Sequence, residues 1–283
     1  MAAVAGTARA VASARRIAAL PMYDLPGLQA ATDALWRALA QRLVAAGVDG
    51  VPDELTRGVP PAVVWHEPHL LLAQSCGYPL VTSLSHAVKV VATPRYRAVG
   101  CEGAFARSAV VVRIGHPATT LADLRGSRCV INELASNSGM NLLRAAIAPL
   151  AAGRRFFRTV RVSFSHAESL RMVAAGEADI AAIDCVTLAH LQRGRSSDLA
   201  AAVRVLFWTE PSPGLPLVTS RDTDDATVAA IRAALVEVAE DPGLAALREA
   251  LLIAGFDVLP ETAYESVLEI ERFAIRLDYP KVR

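Results

Sequence analysis

The chain has 283 residues, 53% of them apolar and 20% charged, with a formal net charge of +1. That length suits one large or two modest domains, and the near-neutral balance excludes bulk electrostatic attraction to nucleic acid or an anionic membrane while leaving room for a local anion site. No run of about 18 apolar residues occurs, so no membrane insertion is expected; the Ala-rich start is cut by Arg9, Arg15 and Arg16 and makes a poor secretory signal, so the expected location is cytoplasmic, or periplasmic if a leader has been removed.

In chain order, Arg16–Asp24 reads as a short buried strand ending in a loop, broken by Pro26 and Gly27. Leu28, Leu35, Leu39 and Leu43 recur at helical spacing, and Gly47 stops that helix. After a turn-rich connector, Ala62–Trp65 reads as a short strand, residues 69–77 as a helix with a glycine stop, and His86–Pro94 as a β-branched strand. The middle alternates more plainly. Strands are predicted at Ser108–Gly115, Arg128–Glu133, Phe157–Phe164, Ala178–Asp184 and Ala202–Trp208. Helices fall between them at Thr120–Gly126, Gly139–Leu150, Glu168–Gly176 and from Val186. A strand at residues 217–220 precedes a largely helical tail, in which Val228, Ile231, Leu235 and Val238 form one stripe. Such alternation predicts parallel sheets with right-handed crossovers and helices on both faces.

The clearest chemical signal lies between the strand ending near Glu133 and the helix starting near Gly139. Ser136, Asn137, Ser138 and Gly139 bring small hydrogen-bonding groups to a helix start, where free N–H groups and the helix dipole favour an anion. Simple N-capping explains the same run without a ligand. His166 and Asp184 also follow predicted strands, and carboxyl-end loops of parallel strands share one edge. An ordinary loop histidine and a capping aspartate are the structural alternatives. In residues 65–69, His66, Glu67 and His69 invite a metal reading, but Pro68 disrupts the helix that would align them and the spacing is not HExxH, so no metal is expected. Ser138, His166 and Asp184 lack a GxSxG elbow, which argues against a hydrolase triad. No Walker loop or GxGxxG fingerprint is present, and no cofactor is expected. Cys76, Cys101, Cys129 and Cys185 form no CxxC pair; they read as buried or half-buried thiols, and spacing does not decide whether Cys76 and Cys101 form a disulfide.

RSAVVVR, TLADLRG, RCVINELASNSGMN, SHAESLRMVAAGEADIAAID and LFWTEPSPGLPLVT, in that order, resemble the phosphate/phosphonate-binding components of ABC importers. The resemblance runs from about Ile17 into the helical tail and is densest over residues 107–219. It implies an α/β type II periplasmic-binding fold: two lobes, each a mostly parallel sheet flanked by helices, with the ligand cleft between. Residues 15–108 and 209–283 are expected in lobe one, and 109–208 in lobe two, with residues 202–208 forming a hinge strand. The resemblance implies that Ser136, Asn137, Ser138 and Gly139 cradle a small oxyanion, that His166 donates to it, and that Asp184 faces the rest of the ligand. It places Tyr23 and Tyr78 as aromatic cover, although both could equally be core-edge tyrosines, and lets Thr209 reach the cleft. The expected activity is reversible capture by hinge closure without chemistry. The expected partners are a small anion and an ABC permease or a sensor partner. The alternatives are an enzyme on the same fold acting on a small carboxylate or phosphate-bearing metabolite, with His166 and Asp184 as acid–base candidates, and a cytoplasmic ligand sensor.

Overall fold

A computed structural model describes residues 16–194 and 197–283. The N-terminal segment on which the secretory-signal reading rests lies outside these residues. The chain begins with β1 (Ile17–Ala19), α1 (Gln29–Ala45), α2 (Pro61–Val64), β2 (Leu70–Gln74), α3 (Gly77–Thr82) and β3 (Val88–Tyr96). Two short strands, β4 (Cys101–Glu102) and β5 (Phe105–Ala106), lead to β6 (Ser108–Arg113). Then come β7 (Arg128–Ile131), α4 (Leu142–Ala151), β8 (Thr159–Val162), α5 (His166–Ala174), β9 (Ile180–Asp184), α6 (Cys185–Arg193), α7 (Ser197–Ala201) and β10 (Val203–Trp208). The chain returns through β11 (Ser212–Pro213) to β12 (Leu217–Ser220), α8 (Asp225–Glu240), α9 (Ala245–Ala250), β13 (Ile253–Asp257) and α10 (Glu265–Arg276).

These strands form two five-stranded sheets, ordered β1-β2-β12-β3-β13 and β10-β6-β9-β7-β8, and a small sheet β11-β5-β4. Alternate residues explain the apolar runs. In β6, Ala109 and Val111 enter one core while Val110 and Val112 enter the core on the other face. In β9, Ile180 and Ala182 oppose Ala181 and Ile183 in the same way. A strand covered on both faces has no polar side to show, so its sequence is continuously apolar. On the first sheet, Leu35, Leu39 and Leu43 of α1 share a core with Ile231, Leu235 and Val238 of α8, as their spacing predicts.

The sheets are mixed rather than mostly parallel. β1 runs parallel to β2, and β7 parallel to both β8 and β9, but the strands that follow a crossing enter antiparallel. β6 inserts that way between β10 and β9, and β12 between β2 and β3. Each arrives from the other sheet rather than from a helical crossover, so the rule that makes βαβ strands parallel does not act on it. The two crossings lie side by side: Thr209 N donates to Ser108 O, and β11 pairs with β5.

Three local expectations differ from the structure. Residues 62–65 lie on a helical turn after Pro60 and Pro61, not a strand. Residues 70–74 are a strand buried along its whole length, not a helix; a short apolar run has no periodicity to separate the two. The tail contains β13, which starts beyond Leu252 at φ 58. Finally, α10 and the residues after it leave the first sheet. Ala274 and Tyr279 are buried in a core of the second sheet, and Phe156 N donates to Arg283 O, so this end of residues 209–283 does not stay with lobe one.

Candidate functional site

Because β7, β8 and β9 are neighbours running the same way, their carboxyl ends share one edge, and each is followed by a capped helix start. After β7, Ser136 is extended and its Oγ accepts from Gly139 N at 2.9 Å, which opens a π-turn over Asn137–Asn141 leading into α4. After β8, Ser165 Oγ accepts from Glu168 N at 3.1 Å, and His166 is the first residue of α5. After β9, Asp184 Oδ1 accepts from Thr187 N at 2.8 Å and caps α6. Helix starts present orphan N–H groups and positive dipole ends, so three of them on one edge make a region suited to negative charge.

These turns face a cavity of about 600 Å³ closed on its other side by elements around the first sheet. Ser136, Ser138, His166 and Asp184 line it, as does Tyr23 from the opposite wall. Ser138 Oγ is 2.9 Å from His166 Nε2. Gly139 sits directly behind this pair. A Cβ there would collide with Asn132 Oδ1 and come within 3.0 Å of His166 Cε1, so the close packing of these side chains requires a glycine. Tyr23 is buried and stacks edge-on against Tyr96 with 5.2 Å between ring centroids. Burial pushes the His166 imidazole below its ordinary pKa, partly opposed by the Asp184 carboxylate.

Other expected site residues are engaged elsewhere. The Asn137 side chain donates to Ser212 Oγ at 2.8 Å and accepts from Asn141 Nδ2, and its N–H points to Cys76 Sγ at 3.4 Å. Tyr78 is not on the cavity wall: its hydroxyl donates to Glu271 of α10 at 2.6 Å, and Arg144 lies over its ring. Thr209 is buried at the crossing, where Oγ1 accepts from Ser108 N at 2.9 Å and donates to Glu210 O. Asp184 spends one carboxylate oxygen on its cap and makes no hydrogen bond to His166, whose Nδ1 is unpartnered, so Ser138, His166 and Asp184 do not form a relay. His66 bonds Ala62 O through Nδ1, and no cluster of three His, Cys, Asp or Glu side chains suited to a metal occurs among the described residues.

The structure adds wall residues that the sequence reading missed. Asn132 and Glu133 belong to the loop, since β7 ends at Ile131 rather than at Glu133. Asn132 Oδ1 is buried without a partner, and burial raises the Glu133 carboxyl. Trp65 and His66, just after α2, and Cys76, at the start of α3, come from the other wall. Asp24 also lines the cavity; burial works against its charge, but hydrogen bonds from Arg57 and Thr32 prevail and hold its carboxyl below the ordinary range. Among the described residues, the carboxylates Asp24, Glu133 and Asp184 line the cavity and no Lys or Arg does.

A two-lobed α/β fold with a polar cavity between two crossing-linked sheets defines the class of periplasmic binding proteins. Residues 17–264 match the family described as ABC transporter, phosphonate, periplasmic substrate-binding protein, and the chain belongs to that family. Solved structures agree on the fold. A binding-protein component of an ABC phosphonate transporter from Pseudomonas aeruginosa is similar at a TM-score of 0.73 and 14% identity, over 93% of this chain and 88% of that one. PhnD1 from Prochlorococcus marinus, in complex with methylphosphonate, gives 0.70 and 15% over 91% and 97%. XAC2383 from Xanthomonas citri, bound to ATP, gives 0.69 and 15% over 94% and 99%. No curated protein matches the sequence. No helix among the described residues is long and apolar enough to cross a membrane, and the family's periplasmic description gives the cytoplasmic expectation no support.

Proposed function

We propose that the protein captures a small phosphonate in this cavity by closure of its lobes about the two crossings, without chemistry, and passes it to an ABC permease. Lobe one comprises the first sheet and its helices, and lobe two the second. The observation that carries this reading is the convergence of three capped strand-end turns on one cavity that, among the described residues, no Lys or Arg lines. The Ser136 hydroxyl, the Ser138–His166 pair and the backbone N–H of Ser138 supply donors for the oxygens of a phosphonate head. Asp184 and Glu133 on the same wall disfavour a bare dianion and suit a ligand whose other end is a cation. The preferred ligand class is therefore an aminoalkylphosphonate, with phosphate weaker. Tyr23 closes over it from lobe one.

Calorimetric titration of protein stripped by unfolding and refolding tests this. 2-Aminoethylphosphonate should bind more tightly than methylphosphonate or phosphate. His166→Ala should weaken it roughly ten- to a hundred-fold, the cost of about 1.5–3 kcal/mol for a hydrogen bond to a charged group. Binding of a dicarboxylate with no response to any phosphorus compound would refute the ligand class.

A further inference from the structure

Cys101 opens β4 in the crossing sheet, and Cys185 opens α6 directly after the cap residue Asp184. They are 84 positions apart in sequence, yet their sulfurs are 3.4 Å apart. The approach is built into the backbone. Gly100 has φ +98, and a Cβ on it would come within 2.7 Å of the Trp208 ring and 3.0 Å of Cys185 Cβ, so glycine alone allows the chain to run this close to α6. Tyr23, Val186 and Trp208 pack around the pair in a small core between the two sheets. Cys185 is buried and Cys101 is half-exposed. The other two thiols are placed differently: Cys129 is buried in β7, and Cys76 accepts from Asn137 N on the cavity wall.

We propose that Cys101 and Cys185 are an oxidisable dithiol that forms a disulfide with a hydroperoxide as oxidant, stapling the crossing sheet to the helix that Asp184 caps. A disulfide needs about 2.05 Å between sulfurs, so the pair must close by roughly 1.4 Å. Cys101 reacts first because it is the more accessible of the two. The Cys185 S–H donated to its sulfur also lowers the Cys101 thiol, whereas that contact and burial push Cys185 up. The Cys101 thiolate attacks one peroxide oxygen, the O–O bond breaks, and Cys101 becomes a sulfenic acid while the departing oxygen leaves as water or alcohol after taking a proton. Cys185 sulfur then attacks the sulfenic sulfur; the S–S bond forms, the S–O bond breaks, and the hydroxide leaves as water with the Cys185 proton. The two thiols lose two electrons, and the peroxide gains them.

The test uses the whole protein, reduced, freed of reductant and treated with a small excess of hydrogen peroxide. Intact mass should fall by about 2 Da, and peptide mapping should join the segments holding Cys101 and Cys185, leaving Cys76 and Cys129 free. The melting temperature should rise on the order of 5–10 °C, because the bond closes a long loop of the unfolded chain, and reductant should reverse it. Cys101→Ser and Cys185→Ser should each abolish the mass loss, and Cys185→Ser should instead trap a sulfenic acid on Cys101, heavier by about 16 Da and labelled by dimedone. An unchanged mass in the wild-type protein, oxygen addition at Cys101 without mass loss, or a bridge that joins other cysteines would overturn the proposal. Peptide mapping of the wild-type chain decides this even where a serine variant does not fold.

Discussion

On the side of the second sheet, the cavity is lined from three parallel strand ends, each leading into a helix whose cap is a Ser or Asp side chain. On the side of the first sheet, it is lined by a 3-10 turn holding Tyr23, the chain around the four-residue α2, and the start of α3. The second wall repeats one local device, and its capping side chains Ser136, Ser165 and Asp184 are fixed by hydrogen bonds from backbone N–H groups within their own turns. The first wall has no repeated device. Its side chains are held by contacts far along the chain, such as Tyr23 on Tyr96 and Asp24 on Arg57. A wall set locally should tolerate changes elsewhere in the molecule, and a wall set remotely should not.

The largest expected effect exploits that dependence. The start of α3, which presents Cys76 and Pro79 to the cavity, is anchored through Tyr78 to Glu271 of α10, which in turn pairs with the buried Arg144 of α4 at 3.2 Å. Removing Glu271 leaves the Arg144 charge without its carboxylate. Breaking one partner of a buried pair costs about 3 kcal/mol, so Glu271→Ala should lower the melting temperature by roughly 6–12 °C for a chain of this size. Retention of the wild-type melting temperature would show that the hydrogen bonds from Arg144 to Asn141 and Pro280 suffice by themselves.

The same contrast explains what the sequence discloses. Ser136, Ser138, His166 and Asp184 are legible because strand, small polar turn and helix follow one another within a dozen residues, and their meeting needs only that β7, β8 and β9 be parallel neighbours. The mixed order of the sheets is not legible, since β6 and β12 take their places from the crossings and not from any local pattern. Trp65 and His66 are missed because residues 62–65 read as a strand, and Asn132 and Glu133 because β7 ends two residues early. Tyr78 is a bulky polar aromatic beside a glycine, a pattern shared by binding tyrosines and core-edge ones; only Glu271, 193 positions away, separates them.

A smaller effect is expected inside the locally set wall. Gly139→Ala places a methyl against Asn132 Oδ1 and His166 Cε1. Alanine at a helix start gains up to about 1 kcal/mol in propensity over glycine, but overpacking a tight site costs about 1–3 kcal/mol. The clash should win, because both neighbours are themselves confined, and the melting temperature should fall by a few degrees. Phosphonate affinity should fall with it, since His166 must shift away from Ser138. A more stable Gly139→Ala protein with unchanged affinity would mean that Asn132 and His166 move aside freely, and that this wall is less rigid than its caps imply.

The smallest effect separates scaffold from site at Tyr78. Tyr78→Phe keeps the ring beneath Arg144 and deletes only the hydroxyl that donates to Glu271. Both groups are partly exposed, so the loss should fall below the range for a buried hydrogen bond to a charged group, at about 1 kcal/mol, or roughly 2–4 °C in melting temperature. Phosphonate affinity should not change, because the hydroxyl points toward α10 and the residue is absent from the cavity wall. Binding titrations and melting curves on one preparation distinguish the two roles. A tenfold loss of affinity with an unchanged melting temperature would return Tyr78 to the ligand as aromatic cover, and would require α3 to turn inward when the lobes close. A loss of stability alone would fix Tyr78 as the anchor through which a remote helix holds the first wall in place.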